Sequence, residues 1–312
     1  FFKQKTAYEI KECDWSSDVC SSDLENYYLG RTDYNFSEKD SVFGRYFIDL
    51  QDAVYPFTGG NVGLWPEIDK GTNQFFNIEE RHIFSPTVIN IARGSFSRTN
   101  VGAIAGATHD ALQLFPGAGR GDATITVAGL TTIGTTGASP SPAGQVQNRF
   151  SEGDDVSWTH GAHSFRFGAS IDRIQSATLW TFQGQTAWTF GSIPLFLAGT
   201  ARTVTGVTAA STNNPIRDFR EIDFAFYAQD DWKVSSKLTV NLGLRYQPAS
   251  NPVEIHNNLN TVVNYLTDKS FTNVPNVMIT NPSWNNYDPR VGFAYDPFKD
   301  HKTSIRGGFG MF

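Results

Sequence analysis

No run of about 20 consecutive apolar residues, the length a membrane-spanning helix needs, occurs in the 312-residue chain. A helical membrane protein is thereby excluded, and any passage through a bilayer has to be made by strands. Charged residues are scarce at 18%, and the net charge of −6 leaves no basic surplus from which to build a nucleic-acid-binding face. Methionine occurs only twice, against 25 Phe, 11 Tyr, 7 Trp and 28 Gly, a balance that suits strands and turns better than packed helices. The only cysteines, Cys13 and Cys20, fall in the first 24 residues, and that stretch reads poorly as protein. Residues 3–10 (KQKTAYEI) and 14–24 (DWSSDVCSSDL) reverse-translate in a single frame into the constant parts of an indexing primer for short-read sequencing libraries. Lys11 and Glu12 stand where the variable index would fall. The stretch also lacks the continuous apolar core of a signal peptide. Residues 1–24 are therefore expected to be a disordered translation artefact whose cysteines form no disulfide and hold no metal.

From Asn26 onward, short polar connections alternate with long irregular ones. The short connections are at residues 37–40, 85–86, 160–162, 234–236 and 298–301, and the long ones at about 52–74, 99–145, 176–221 and 248–285. Loops beyond about 12 to 15 residues are uncommon in compact soluble domains. Here they all fall on one side of the meander, as in an outer-membrane barrel with short periplasmic turns and long external loops. The segments between them are expected to be strands of roughly 9 to 11 residues, enough to cross a bilayer at a tilt.

Parity assigns their faces. In residues 237–247, Leu238, Val240, Leu242, Leu244 and Tyr246 share one side, and Thr239, Asn241, Gly243 and Arg245 the other. Phe165, Phe167, Ala169 and Ile171 likewise oppose Arg166, Gly168, Ser170 and Asp172, and Val291, Phe293 and Tyr295 oppose Arg290, Gly292 and Ala294. An arginine facing lipid at the midplane costs about 2 to 4 kcal/mol, so Arg166, Arg245 and Arg290 are predicted to face the lumen. Residues 42–50 and 87–98 alternate too irregularly for assignment. A soluble antiparallel sandwich would also alternate. Aromatics near strand ends (Trp158, Trp232, Tyr246, Tyr287, Phe298) and the one-sided loops favour the barrel.

Five strings carry a family resemblance: residues 34–46 (YNFSEKDSVFGRY), 84–90 (FSPTVIN), 158–168 (WTHGAHSFRFG), 226–246 (FYAQDDWKVSSKLTVNLGLRY) and 289–309 (PRVGFAYDPFKDHKTSIRGGF). Together they make the chain resemble the barrel of Oar-like TonB-dependent receptors. The resemblance implies an all-β fold, an antiparallel meander of about ten strands from a 22-stranded transmembrane barrel, over residues 25–312. It also implies a plug and often a carboxypeptidase-regulatory-like sandwich, neither of which this sequence contains. The chain thus reads as an interior piece, its last residues, 307–312, stopping inside a strand. The implied setting is the cell outer membrane. The implied partners are its lipid, a nutrient, and the TonB system reached through the plug.

Motifs of chemistry are few. His160 and His163 flank a turn, where polar residues are expected without a metal. Residues 117–122 (GAGRGD) lack the strand-to-helix context of a phosphate cradle and read as external loop. Asp154-Asp155 and Asp230-Asp231 are adjacent in strands, so their side chains point to opposite faces and cannot act on one atom. No catalytic, metal or cofactor-binding residue is nominated, and an enzyme is not expected. Trp65, Trp180, Trp188 and Trp284 lie in or beside the long loops among amides and hydroxyls, a composition suited to stacking on sugar rings, and they are the candidates for substrate contact. The expected function is energised import of a nutrient such as an oligosaccharide, peptide or metal chelate. The alternatives are a non-transporting surface or adhesion barrel and a secreted carbohydrate-binding sandwich.

Overall fold

A computed structural model describes residues 22–55, 66–105, 124–134, 143–180, 187–205, 216–298 and 302–311. Residues 1–21, Trp65 and residues 117–122 lie outside the described residues, whereas Ser22 to Leu24 form the start of the first strand.

In chain order the strands are β1 (Ser22–Asn35), β2 (Asp40–Tyr55), β3 (Glu67–Ser85), β4 (Val88–Ala105), β5 (Thr124–Val127), β6 (Ile133–Gly134), β7 (Ala143–His160), β8 (His163–Trp180) and β9 (Ala187–Phe190). After a short helix, α1 (Ile193–Leu197), come β10 (Thr203–Thr205), β11 (Ile216–Lys233), β12 (Leu238–Tyr246), β13 (Val253–Glu254), β14 (Asn260–Thr261), β15 (Thr272–Asn273), β16 (Tyr287–Tyr295) and β17 (Ile305–Gly310). Ten of them make one antiparallel sheet in the order β1-β2-β3-β4-β7-β8-β11-β12-β16-β17, with β13 attached to β11. Sequence neighbours are sheet neighbours throughout that path, the meander expected of an up-and-down barrel wall.

Local chemistry closes the short turns. Ser37 Oγ accepts hydrogen bonds from the amides of Lys39 and Asp40, each at 3.0 Å, which folds the β1–β2 connection back on itself. Between β7 and β8 only Gly161 and Ala162 remain, and Gly161 takes a φ of 59°, open to a residue without Cβ.

The register settles the faces. Tyr46, Phe76, Phe96 and Phe150 stand in one cross-strand row, and Phe167, Ala228 and Leu244 continue the same apolar face. These side chains are not packed away: Leu244 is 51% exposed, Val291 48% and Phe226 47%. Among the described residues, the buried apolar side chains are only Ala53, Val127, Phe190, Ala225 and Pro248. A β-sandwich would bury one whole face of such a sheet against a second sheet. Here a broad apolar face stands uncovered, as it must where hydrocarbon is the solvent.

Two differences from the sequence reading have physical causes. Seven strands run to 14–19 residues rather than 9–11. Their outer halves, such as Thr72-Asn73-Gln74 and Thr99-Asn100, stay in the ladder although they read as loop. Beyond the bilayer both faces meet water, so the alternation that marks a strand disappears while the backbone pairing continues. In β2 the apolar face holds Val42, Tyr46, Ile48 and Leu50, but Phe43 and Phe47 lie on the opposite one. There the Arg31 guanidinium covers the Phe43 ring at 4.5 Å. Aromatics on both faces are what blurred the pattern.

The external connections carry their own structure. β5, β6, β9 and β10 form a small sheet in the order β10-β9-β5-β6. β5 belongs to the β4–β7 connection and β9 to the β8–β11 connection, and the two pair in parallel. Val127 and Phe190 are buried side by side in that register, and Phe196 of α1 packs edge-on against Phe190 at 5.1 Å. In the β12–β16 connection, buried Glu254 accepts from the amides of Asp218 (3.1 Å), His256 (3.1 Å) and Asn258 (2.5 Å). Burial acts to raise its pKa, but those amides and nearby His256 hold the carboxyl below its ordinary value.

Candidate functional site

The face opposite the apolar band is lined with charge. Asp155, Gly168, Tyr227, Arg245 and Asp288 occupy one cross-strand row over five strands. Arg93 reaches into it from β4, its Nε donating to Glu79 Oε2 at 2.9 Å and its Nη1 to Asp155. The Tyr227 hydroxyl donates to the other Asp155 oxygen at 2.5 Å. Gly168 makes that bond possible: a Cβ there would lie 2.7 Å from Cζ of Tyr227, so the phenol crosses the strand only because position 168 is bare. Two rows outward, Arg149 Nη2 pairs with Asp172 Oδ2 at 3.0 Å, and Ser151 also donates to Asp172. A concavity of about 370 Å³ is lined by Arg93, Arg149, Asp155, Asp172, Tyr227 and Arg245 among others.

The nominated arginines share this face. Arg166, Gln229, Gly243 and Arg290 make the next row toward the short turns, and Arg245 belongs to the concavity itself. Position 243 is again a glycine, beside the Cβ of Arg290 at 3.7 Å from where its own would be. The members that sequence reading did not single out are Glu79, Arg93, Arg149 and Tyr227. Arg93 sits in the segment whose alternation was unreadable, and its carboxylate partner Asp155 comes from a different hairpin. The one signal in the sequence was the carboxylate pair Asp154-Asp155. The strand does turn the two apart, Asp154 accepting from Asn90 at 2.8 Å on the apolar side while Asp155 joins the polar network.

The other nominated motifs scatter. His163 hydrogen-bonds Asp230 at 2.7 Å and stacks on Trp232, whereas the His160 ring lies against Trp158. Asp231 turns the other way and accepts from Asn241 at 2.6 Å. Of the four tryptophans, Trp188 lies in β9 in register with Ile125 and Val204, at the small sheet's apolar side. Trp284 is 58% exposed in a turn of 3₁₀ helix, its carbonyl accepting from Tyr246. Trp180 ends β8, paired with Ala143, and Trp65 lies outside the described residues.

Among the described residues, the wall offers fixed charges of both signs around an open concavity and no cluster of nucleophile and base. Such an array can bind and pass a polar solute.

Comparison with known proteins agrees with this architecture. Residues 15–312 match the family described as outer membrane beta barrel domain. Among solved structures, the outer membrane transporter YddB from Escherichia coli superposes with a TM-score of 0.55 at 12% identity, over 93% of this chain and 32% of that one. The ferric-catecholate import receptor Fiu from E. coli K12 gives 0.52 at 10% identity, over 92% of this chain and 43% of that one. At such identities the likeness is one of fold. The chain spans about a third to two fifths of the length of these two proteins. No match was found among curated proteins.

Proposed function

Because the chain belongs to the outer membrane beta barrel domain family, we propose that it forms part of the wall of an outer-membrane importer of the TonB-dependent, Oar-like kind, its polar face lining the lumen. The observation that carries the reading is the ion-paired wall running from Glu79 through Arg93 and Asp155 to Tyr227 and Arg245, opposite an uncovered apolar face. A row of charges is tolerable in a membrane protein where water reaches it, so this face suits a lumen filled by solute, water or a plug. The names of the two superposed proteins, a transporter and an import receptor, support the same reading.

On this reading, Arg166, Arg245 and Arg290 sit along the path of a polar solute, and external loops bearing Trp188 and Trp284 make its first contacts. The substrate is a nutrient too large or too scarce for diffusion through a porin: an oligosaccharide, a peptide or a metal chelate. The protein performs no covalent chemistry. Energy enters through TonB acting on a plug.

The test compares depletion of defined oligosaccharide, peptide and metal-chelate mixtures by cells with and without the intact protein, with and without a protonophore. Uptake that needs both the protein and the proton gradient supports the importer. A protein that is folded and surface-exposed while all three classes are depleted equally without it would point instead to a non-transporting surface barrel.

A further inference from the structure

We propose that Asp40, Glu80 and His82, at the short-turn end of the β2–β3 ladder, bind a first-row divalent transition metal of the zinc type. Asp40 and His82 are direct cross-strand partners, and Glu80 lies two residues along β3 on the same face. One donor atom from each residue lies within 4.8 Å of the others. A tetrahedral zinc ion about 2.0–2.2 Å from its ligands needs donors roughly 3.4 Å apart. Asp40 Oδ1 and His82 Nδ1, now in direct contact, have to part to admit the ion, and Glu80 has to close by at most about 1.4 Å, both within reach of small torsional changes.

Two neighbours hold the ligands in place. The Ser37 hydroxyl donates to Asp40 Oδ2 at 2.6 Å and leaves Oδ1 turned to the His82 ring. The Phe84 ring meets His82 edge-on at 4.3 Å and fixes the plane of the imidazole. Oriented ligands of this sort are what a metal site requires beyond its donors. The backbone beneath them is pinned by the Ile83 amide donating to the Lys39 carbonyl at 2.9 Å. Glu80 is half-buried and makes no hydrogen bond or ion pair among the described residues, so a carboxylate stands beside the His–Asp pair with nothing to neutralise it. A cation answers that charge.

The donor set chooses the metal. One imidazole and two carboxylates suit zinc and its first-row neighbours, while magnesium and calcium prefer all-oxygen shells. Three protein ligands leave a fourth position for water. The site joins β2 to β3 beside the first turn, on the outward face at the short-turn rim and away from the charged wall. Its occupancy is thus independent of what the lumen carries.

The experiment uses the intact protein in detergent, stripped with a chelator and titrated with Zn²⁺ by calorimetry, and with Co²⁺ for its visible spectrum. One zinc per protein is expected, with tetrahedral Co²⁺ bands. His82→Ala and Asp40→Asn should abolish that site, and Ser37→Ala should weaken it by about tenfold, the usual effect of losing an outer-shell partner. Folding of each variant is read independently from its heat-modifiable mobility on a gel. The proposal is overturned if the wild-type protein takes up no zinc. It is equally overturned if the folded Asp40→Asn/His82→Ala variant binds zinc with unchanged stoichiometry and affinity.

Discussion

Replacing Gly168 by alanine should destabilise the barrel by about 2 kcal/mol, although alanine ordinarily stabilises a strand interior relative to glycine by about 0.5–1 kcal/mol. The new methyl would lie 2.7 Å from Cζ of Tyr227, against about 3.5–4.0 Å for carbons at rest. The phenol must therefore leave. It gives up its bond to the Asp155 carboxylate, worth about 1.5 kcal/mol at a hydrated wall, and its packing across the strand, worth about 1 kcal/mol more. Asp155 keeps Arg93, so no carboxylate is stranded. In a Tyr227→Ala background the methyl meets only Asp155 Oδ1, the end of a carboxylate that Tyr227 no longer holds and that can turn aside, and Gly168→Ala should become neutral or slightly stabilising. The coupling between the two positions should thus approach about 2.5 kcal/mol. It is measured from urea unfolding of the intact protein in phospholipid vesicles, followed by tryptophan fluorescence, for the wild type, both single variants and the double. A coupling under about 0.5 kcal/mol would mean that the Tyr227 ring does not cross position 168, and the arrangement of the polar wall would have to be redrawn.

Leu244→Arg on the apolar face should cost about 2–4 kcal/mol in the same assay, while Asn241→Arg on the opposite face should cost under about 1 kcal/mol; equal costs would contradict the facial assignment. The pKa of Glu254 is lowered in the folded loop, so its carboxylate stabilises the loop fully above the ordinary glutamate range near pH 4.3. That contribution disappears as pH falls through the lower folded value. Protection of the Asp218, His256 and Asn258 amides relative to their intrinsic exchange rates at each pH should accordingly fall in acid, and Glu254→Gln should reproduce the effect at neutral pH; unchanged protection in that variant would refute the anchoring role. Val127→Asp buries a charge in the small external sheet. It should raise exchange about tenfold or more in β9 as well as β5 while leaving barrel unfolding unchanged, and a response confined to β5 would show that the two loops are not joined.

The membrane-facing half of the fold was legible in the sequence because a bilayer imposes a strict rule on each residue. In β8, β12 and β16 the parity of Phe165, Leu242 and Val291 against Arg166, Asn241 and Arg290 matches the observed register. The rule lapses in two places. Outside the bilayer, strands such as β3 continue through Asn73 and Gln74 on backbone pairing and a polar side-chain bond from Asn73 to Asp49, with no apolar face to mark them. Within β2, Phe43 takes the polar face because Arg31 covers it. The charged wall was legible only residue by residue. Arg245 could be assigned a face, but Tyr227 stands on the other strand of its hairpin and Arg93 and Asp155 come from other hairpins, and period-2 reasoning within one strand says nothing of what stands beside it. The same limit hid the external sheet, whose strands are two to four residues long and come from separate connections.

That parallel pairing of β5 with β9 also bears on how the surface can change over generations. External loops of a barrel are normally free to vary one at a time, each answering separately to whatever recognises it. Here Ile125 and Val127 of one loop are matched against Trp188 and Phe190 of the next. An insertion that shifts either strand by one residue exchanges its buried and exposed sides. The two loops should therefore drift as a single unit, with length changes expected in the segments between the short strands and substitutions within the strands expected in compensating pairs.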